Sequence, residues 1–180
     1  MAWFSISVID RHPCSVRENS PGCIVQNCLL RYFSANFPMA RIRIHLPEKF
    51  SFQTIIPIRI TDLNYGNHVG NDTILSLLHE ARVQFLAHFG YGELDFGGLG
   101  LIMSDVAIEF KNEIFYGERI LASVTAGEFS KFWFEVYYKL EKGSPEKSLV
   151  VVAKTGMVCY NYQAKKIVAI PEEVKNKLLS

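Results

Sequence analysis

Cysteine, charge of one sign and long apolar runs are all scarce in this 180-residue chain. Of its four cysteines, Cys14, Cys23 and Cys28 crowd into the first 38 residues and only Cys159 lies beyond, which is not the spacing of a disulfide framework and fits a reducing, cytoplasmic setting. The formal net charge is only +1, with no charge run, so a general nucleic-acid binder is not expected. No stretch approaches the roughly 18 consecutive apolar residues of a membrane span; the densest runs, 54–60 and 149–153, are strand-sized. Residues 1–9 are apolar but have no basic flank and are broken by Asp10 and Arg11, so they do not read as a signal peptide. Residues 1–38 also lack lysine and show neither apolar period, and they form an unpatterned leader. Met39 is the expected natural start, with 39–180 as the functional domain.

The rest of the composition is that of a folding domain, 49% apolar and 21% charged. Residues 52–60 read as a strand with β-branched isoleucines, and Pro57 suits an edge position. Residues 61–71, rich in Gly, Asn and Asp, make a structured loop. Asn71 or Asp72 then caps a helix running to about Phe89, closed by Gly90. Ile74, Leu78, Ala81, Phe85 and Phe89 share one face of that helix, and Leu75, Leu77 and Leu86 widen it, leaving Ser76, Glu80 and Gln84 as a narrow polar stripe. A helix so widely apolar is expected to be wrapped on more than one side. After a glycine-rich link the period changes to two, predicting strands near 101–111, 118–129, 131–142 and 148–160 as an antiparallel meander, then a short helix over 171–179. His68, His79 and His88 match no compact metal spacing, so neither a metal nor a cofactor is expected.

The order strand, long helix, antiparallel strands, with Asp62-Leu63-Asn64-Tyr65-Gly66-Asn67-His68-Val69-Gly70-Asn71 running into a helix that carries His79-Glu80-Ala81-Arg82, resembles the hot-dog-fold acyl-CoA thioesterases of the 4-hydroxybenzoyl-CoA thioesterase type. The resemblance covers about residues 50–175 and centres on the loop, where the family pattern is D-x-D-x-x-G-H-V-N-N. It implies an α+β fold, with a long central helix wrapped by a curved antiparallel sheet of about five strands. It implies an acyl-CoA thioester as substrate, and a homodimer or homotetramer with sites between subunits.

Thioester hydrolysis needs a carboxylate to attack or to activate water, and donors aimed at the developing oxyanion. A helix start supplies donors, here near Gly70 and Asn71, where the dipole adds to them and a glycine permits close approach. The second aspartate of the pattern is Asn64 in this chain, and an amide cannot serve as a base. The resemblance then points to Glu80, since another branch of the family uses a glutamate on this helix. Glu80 lies about 12 Å along the helix from Asp72 at about 1.5 Å per residue, so one half of the site is expected from a partner subunit. His68 is expected to touch the substrate carbonyl or a water, and Asp62 to orient His68 or the loop backbone. Each has a structural alternative: a solvated helix glutamate, a loop-locking histidine, an Asx-turn for Asp62 and a helix cap for Asn71. The loss of the second carboxylate leaves a non-hydrolytic acyl-thioester binder as the rival to a hydrolase. A hydratase needs an acid–base pair in a different loop pattern, which is missing here.

Overall fold

Period-two alternation sets the sheet, as one strand shows in full. In the computed structural model, which describes residues 42–143 and 147–179, Phe134, Val136, Tyr138 and Leu140 are fully buried along one side of their strand, while Trp133 on the other is half-exposed. The leader, and Met39 as natural start, lie outside the described residues.

Six strands form one antiparallel sheet: β1 (Phe52–Pro57), β2 (Gly100–Phe110), β3 (Arg119–Gly127), β4 (Trp133–Lys142), β5 (Leu149–Asn161) and the short β6 (Lys166–Ile167). The order is β1-β3-β4-β5-β2, with β6 on β5. Only β3, β4 and β5 make the expected meander. β1 takes the free edge of β3, Ile55 opposite Leu121, so β2 pairs instead with β5, Ile108 opposite Ala153. The link 111–118 then carries the chain across the end of the sheet, a connection that strand patterning cannot reveal. Pro57 sits on the edge strand as expected, where its missing N–H costs no ladder bond.

Helix α1 (Asn71–His88) lays Ile74, Leu77, Leu78, Ala81, Phe85 and Leu86 into the core, and burying each large side chain contributes about 1.5–3 kcal/mol. It ends as predicted: Gly90 takes a left-handed φ of 80°, its N–H donates to the Ala87 carbonyl, and that of Tyr91 donates to Leu86. Helix α2 (Glu172–Leu179) adds Val174 and Leu178 to the same core. Residues 42–51, which carried no sequence signal, strap across the outer face of the sheet. The Ile44 N–H donates to Glu109 at 2.6 Å, Lys139 lies over the Phe50 ring, and Ser51 bonds Thr125 at 3.2 Å.

Candidate active site

The loop before α1 is a tight hairpin closed upon itself. Leu63 bridges Val69, the Asn64 N–H donates to the His68 carbonyl at 2.9 Å, and the Asn67 N–H donates to that of Asn64 at 3.1 Å. Asn67 has a φ of 60°, at the position where the family pattern has glycine; asparagine is among the few other residues that tolerate it. The Asn64 side chain is used twice: its Oδ1 accepts from the Gly66 N–H at 2.7 Å, and its Nδ2 meets His68 Nε2 at 3.2 Å. Since Nδ2 can only donate, Nε2 accepts, and Nδ1 carries the proton that faces the Gly66 carbonyl at 3.3 Å. A Cβ on Gly66 would come within 2.9 Å of the His68 ring, so glycine is needed for the ring to fold back.

Asp62 does not orient His68. It is buried, one oxygen accepts from the Arg59 N–H at 2.7 Å, and both oxygens receive the Arg59 guanidinium. It instead bonds the backbone and side chain of Arg59, just ahead of the loop. The helix cap also differs from expectation. Gly70, not Asn71 or Asp72, is the N-cap: it is extended, offers no side-chain bond, and its carbonyl accepts from Ile74 at 3.1 Å. The helical backbone begins only at Asn71, and the Asp72 carboxylate folds over Gly70 where a Cβ would stand. Asn71 is therefore the first helical residue. It lines a groove of about 220 Å³ with His68, Ile74, Phe110 and Ile114.

Glu80 occupies a second groove, of about 300 Å³, between α1 and β1. Its walls are Ile55, Ile56, Pro57 and Leu77, and its polar rim is Ser76, Glu80, Gln84 and Arg59. The Gln84 amide donates to Glu80 Oε1 at 2.6 Å, and the Thr54 hydroxyl donates to the Gln84 carbonyl at 2.5 Å. Arg59 is mostly exposed, and its charge is favoured first by Asp62 and more weakly by Glu80. Nine residues separate Asn71 from Glu80, about two and a half turns at about 3.6 residues per turn, so the two face opposite sides of α1. Within one protomer the helix-start groove and the Glu80 groove do not converge.

No sequence signal gives Arg82, Thr54 or Arg59 a role. Arg82 is buried, yet it donates to Glu93 at 2.7 Å and to the Tyr138 hydroxyl at 3.4 Å; that hydroxyl also bonds Thr155 at 2.9 Å. His79 bonds the other Glu93 oxygen at 2.9 Å. Burial alone would push the Glu93 carboxyl up, but the hydrogen bonds from Arg82 and His79 outweigh it and hold it below the usual range. The three histidines thus have separate neighbours: Asn64 for His68, Glu93 for His79, and the Phe52 and Phe89 rings for His88. Cys159 is buried in the core, where desolvation pushes its thiol up to about 11 and leaves it inert.

Known proteins share this architecture. The sequence model of the thioesterase-like superfamily matches residues 58–178. A 1,4-dihydroxy-2-naphthoyl-CoA hydrolase from Microcystis aeruginosa is 32% identical over 108 residues, covering 58% of this chain and 76% of that protein. Among solved structures, a 1,4-dihydroxy-2-naphthoyl-CoA thioesterase from Synechocystis superposes with a TM-score of 0.65 at 20% identity, covering 72% of this chain and 96% of that one. A variant of 4-hydroxybenzoyl CoA thioesterase complexed with 4-hydroxybenzoyl CoA gives 0.64 at 14% identity, covering 71% and 97%. At these identities the superpositions establish the common fold, and it is the hot-dog fold.

Proposed function

This chain belongs to the thioesterase-like superfamily, and from that premise we propose that it hydrolyses an acyl-CoA thioester to the free acid and CoA, with Glu80 as the acting carboxylate. The observation that carries the assignment is the Glu80 groove. Its lining is half apolar and half polar, and it brings a carboxylate hydrogen-bonded by Gln84 together with a permanently charged guanidinium. Glu80 takes a proton from water as the oxygen attacks the thioester carbon. The tetrahedral oxyanion is stabilised by Arg59, and the proton passes to the CoA thiolate as the C–S bond breaks. If Glu80 attacks directly, the same cleavage passes through an acyl anhydride that water then opens. The relative from Microcystis makes 1,4-dihydroxy-2-naphthoyl-CoA the first ester to try, followed by other aromatic and aliphatic esters.

His68, Asn64 and the helix-start amides at Gly70 and Asn71 serve as carbonyl-polarising groups only with a carboxylate brought from across an interface. We place that interface on β2. It is an edge strand of 11 residues whose Ile102, Val106 and Phe110 stay 36%, 39% and 51% exposed, and Phe110 also walls the His68 groove. A homodimer in the cytoplasm is the working state. Among the described residues no helix is long and apolar enough to cross a membrane. Light scattering should give twice the chain mass, and Val106→Lys should return it to one chain.

The deciding assay is thiol release from a panel of acyl-CoA esters by the wild type and Glu80→Gln. Loss in the variant with the fold intact supports the assignment, and equal turnover sinks the role of Glu80. Asn64, spent inside its own loop, favours the second reading, a hot-dog that binds acyl thioesters without cleaving them. Saturable binding with no release from any ester would establish it.

A further inference from the structure

Alternation along β1 turns Phe52, Thr54 and Ile56 toward α1, so Thr54 is a hydroxyl where the strand pattern calls for an apolar side chain. Its hydroxyl donates to Gln84 Oε1 at 2.5 Å, and Gln84 Nε2 donates to Glu80 Oε1 at 2.6 Å. We propose that Thr54 and Gln84 are positioning residues that hold the Glu80 carboxylate in its reactive orientation, an inference that rests on Glu80 acting on the thioester.

Three physical points carry it. First, the direction of the relay is determined: an ionised carboxylate only accepts, so the Gln84 NH2 must face Glu80, its carbonyl must face Thr54, and Thr54 must donate. Second, the relay is anchored off the helix. Gln84 alone is a flexible side chain at i+4 from Glu80, whereas Thr54 is β-branched, stiff at χ1, and paired with Ala122 from the edge strand β1. Third, only Oε1 of Glu80 is engaged. Among the described residues no hydrogen bond reaches Oε2, which remains for water or the thioester carbon.

Solvated glutamates sample many rotamers, and misplacing a reacting group by about 1 Å can cost about a hundredfold in rate. The relay restrains Glu80, and Thr54 does so from outside the groove lining, so loss of its hydroxyl should appear in kcat and not in KM.

The test uses the full chain and an acyl-CoA that the wild type turns over, with Gln84→Leu, Thr54→Val, Thr54→Ser and Glu80→Gln compared at matched melting temperatures. Gln84→Leu should lower kcat about tenfold to a hundredfold. Thr54→Val, which keeps the shape and removes the hydroxyl, should lower it several-fold, and Thr54→Ser should recover most of that loss. Should Gln84→Leu fold poorly, the Thr54 pair alone decides. Wild-type kcat in Gln84→Leu and Thr54→Val beside an inactive Glu80→Gln would overturn the relay while leaving Glu80 in its role. A Thr54→Val loss that serine does not recover would also overturn it, marking a packing effect. Full turnover by Glu80→Gln, or none by the wild type, would remove the reading beneath the relay and the relay with it.

Discussion

Within four consecutive residues of α1, adjacent polar side chains meet opposite fates. Glu80 faces the β1 groove with Gln84 and Ser76, while His79 and Arg82 turn the other way and converge on Glu93. The second set is spent on architecture. Arg82 is buried, its charge is matched by Glu93, and the pair pins the loop 90–100 against the helix and Tyr138. The first set keeps an exposed carboxylate with one oxygen unengaged among the described residues. The loop before the helix resembles the architectural set: Asn64 and His68 bond each other and the Gly66 backbone, and the Asp62 carboxylate is taken up by Arg59 just ahead of the loop. Residue type sets what a group is capable of. Its partners decide whether that capacity is available to a substrate.

Substitutions on the two sides should therefore separate activity from stability. The largest effect is expected for Glu80→Gln, a loss in kcat of about 10²–10⁴-fold with an unchanged melting temperature, read by thiol release and thermal denaturation together. Arg82→Met should do the converse. Leaving Glu93 without its buried partner costs about 2–3 kcal/mol, below the full value for a buried pair because Glu93 is a quarter exposed; urea denaturation measures it, and unchanged stability would erase the distinction drawn above. Gly66→Ala should cost about 1–2 kcal/mol by pushing a methyl into the His68 ring and Asn64 Oδ1, at 2.9 and 3.1 Å. The His68 imidazole proton signals in NMR should shift, and thiol release should fall with them if the loop polarises the carbonyl across the dimer interface, or stay within a few-fold of wild type if the loop is only architectural.

The smallest effect is a pH dependence. Glu93 has a folded pKa held below its unfolded one, so its contribution is complete above the unfolded value of about 4.3 and is lost as pH falls through the folded value. Melting curves of the wild type and Glu93→Gln should differ at pH 7 and converge on acidification. A gap that stays constant to pH 3 would show that Glu93 stabilises by packing alone.

The elements whose pattern is internal were legible in the chain. The long helix with its Gly90 stop, the β4 alternation, the edge position of Pro57 and the polar stripe Ser76-Glu80-Gln84 all follow from periods and caps. The cap at Gly70 was not, because glycine offers no side chain to cap with, whereas Asn71 and Asp72 both do and therefore mislead by one or two residues. Arg82 escaped notice for a related reason: a buried arginine is identified by the carboxylate and phenol that surround it, and Glu93 and Tyr138 lie 11 and 56 residues away.

By itself the sequence determined the order of strands and helices and the polar stripe on the long helix, since these rest on local periodicity, while the hot-dog class and the choice of Glu80 came from the resemblance of its loop and helix motifs to a known family. Tertiary structure alone decided that β2 crosses to β5 and becomes an edge. It alone decided that Thr54 reaches Gln84, and that Phe110 comes to wall the groove beside His68. Pairings of that kind join residues tens of positions apart, and their energies depend on burial and geometry that no short window of chain contains.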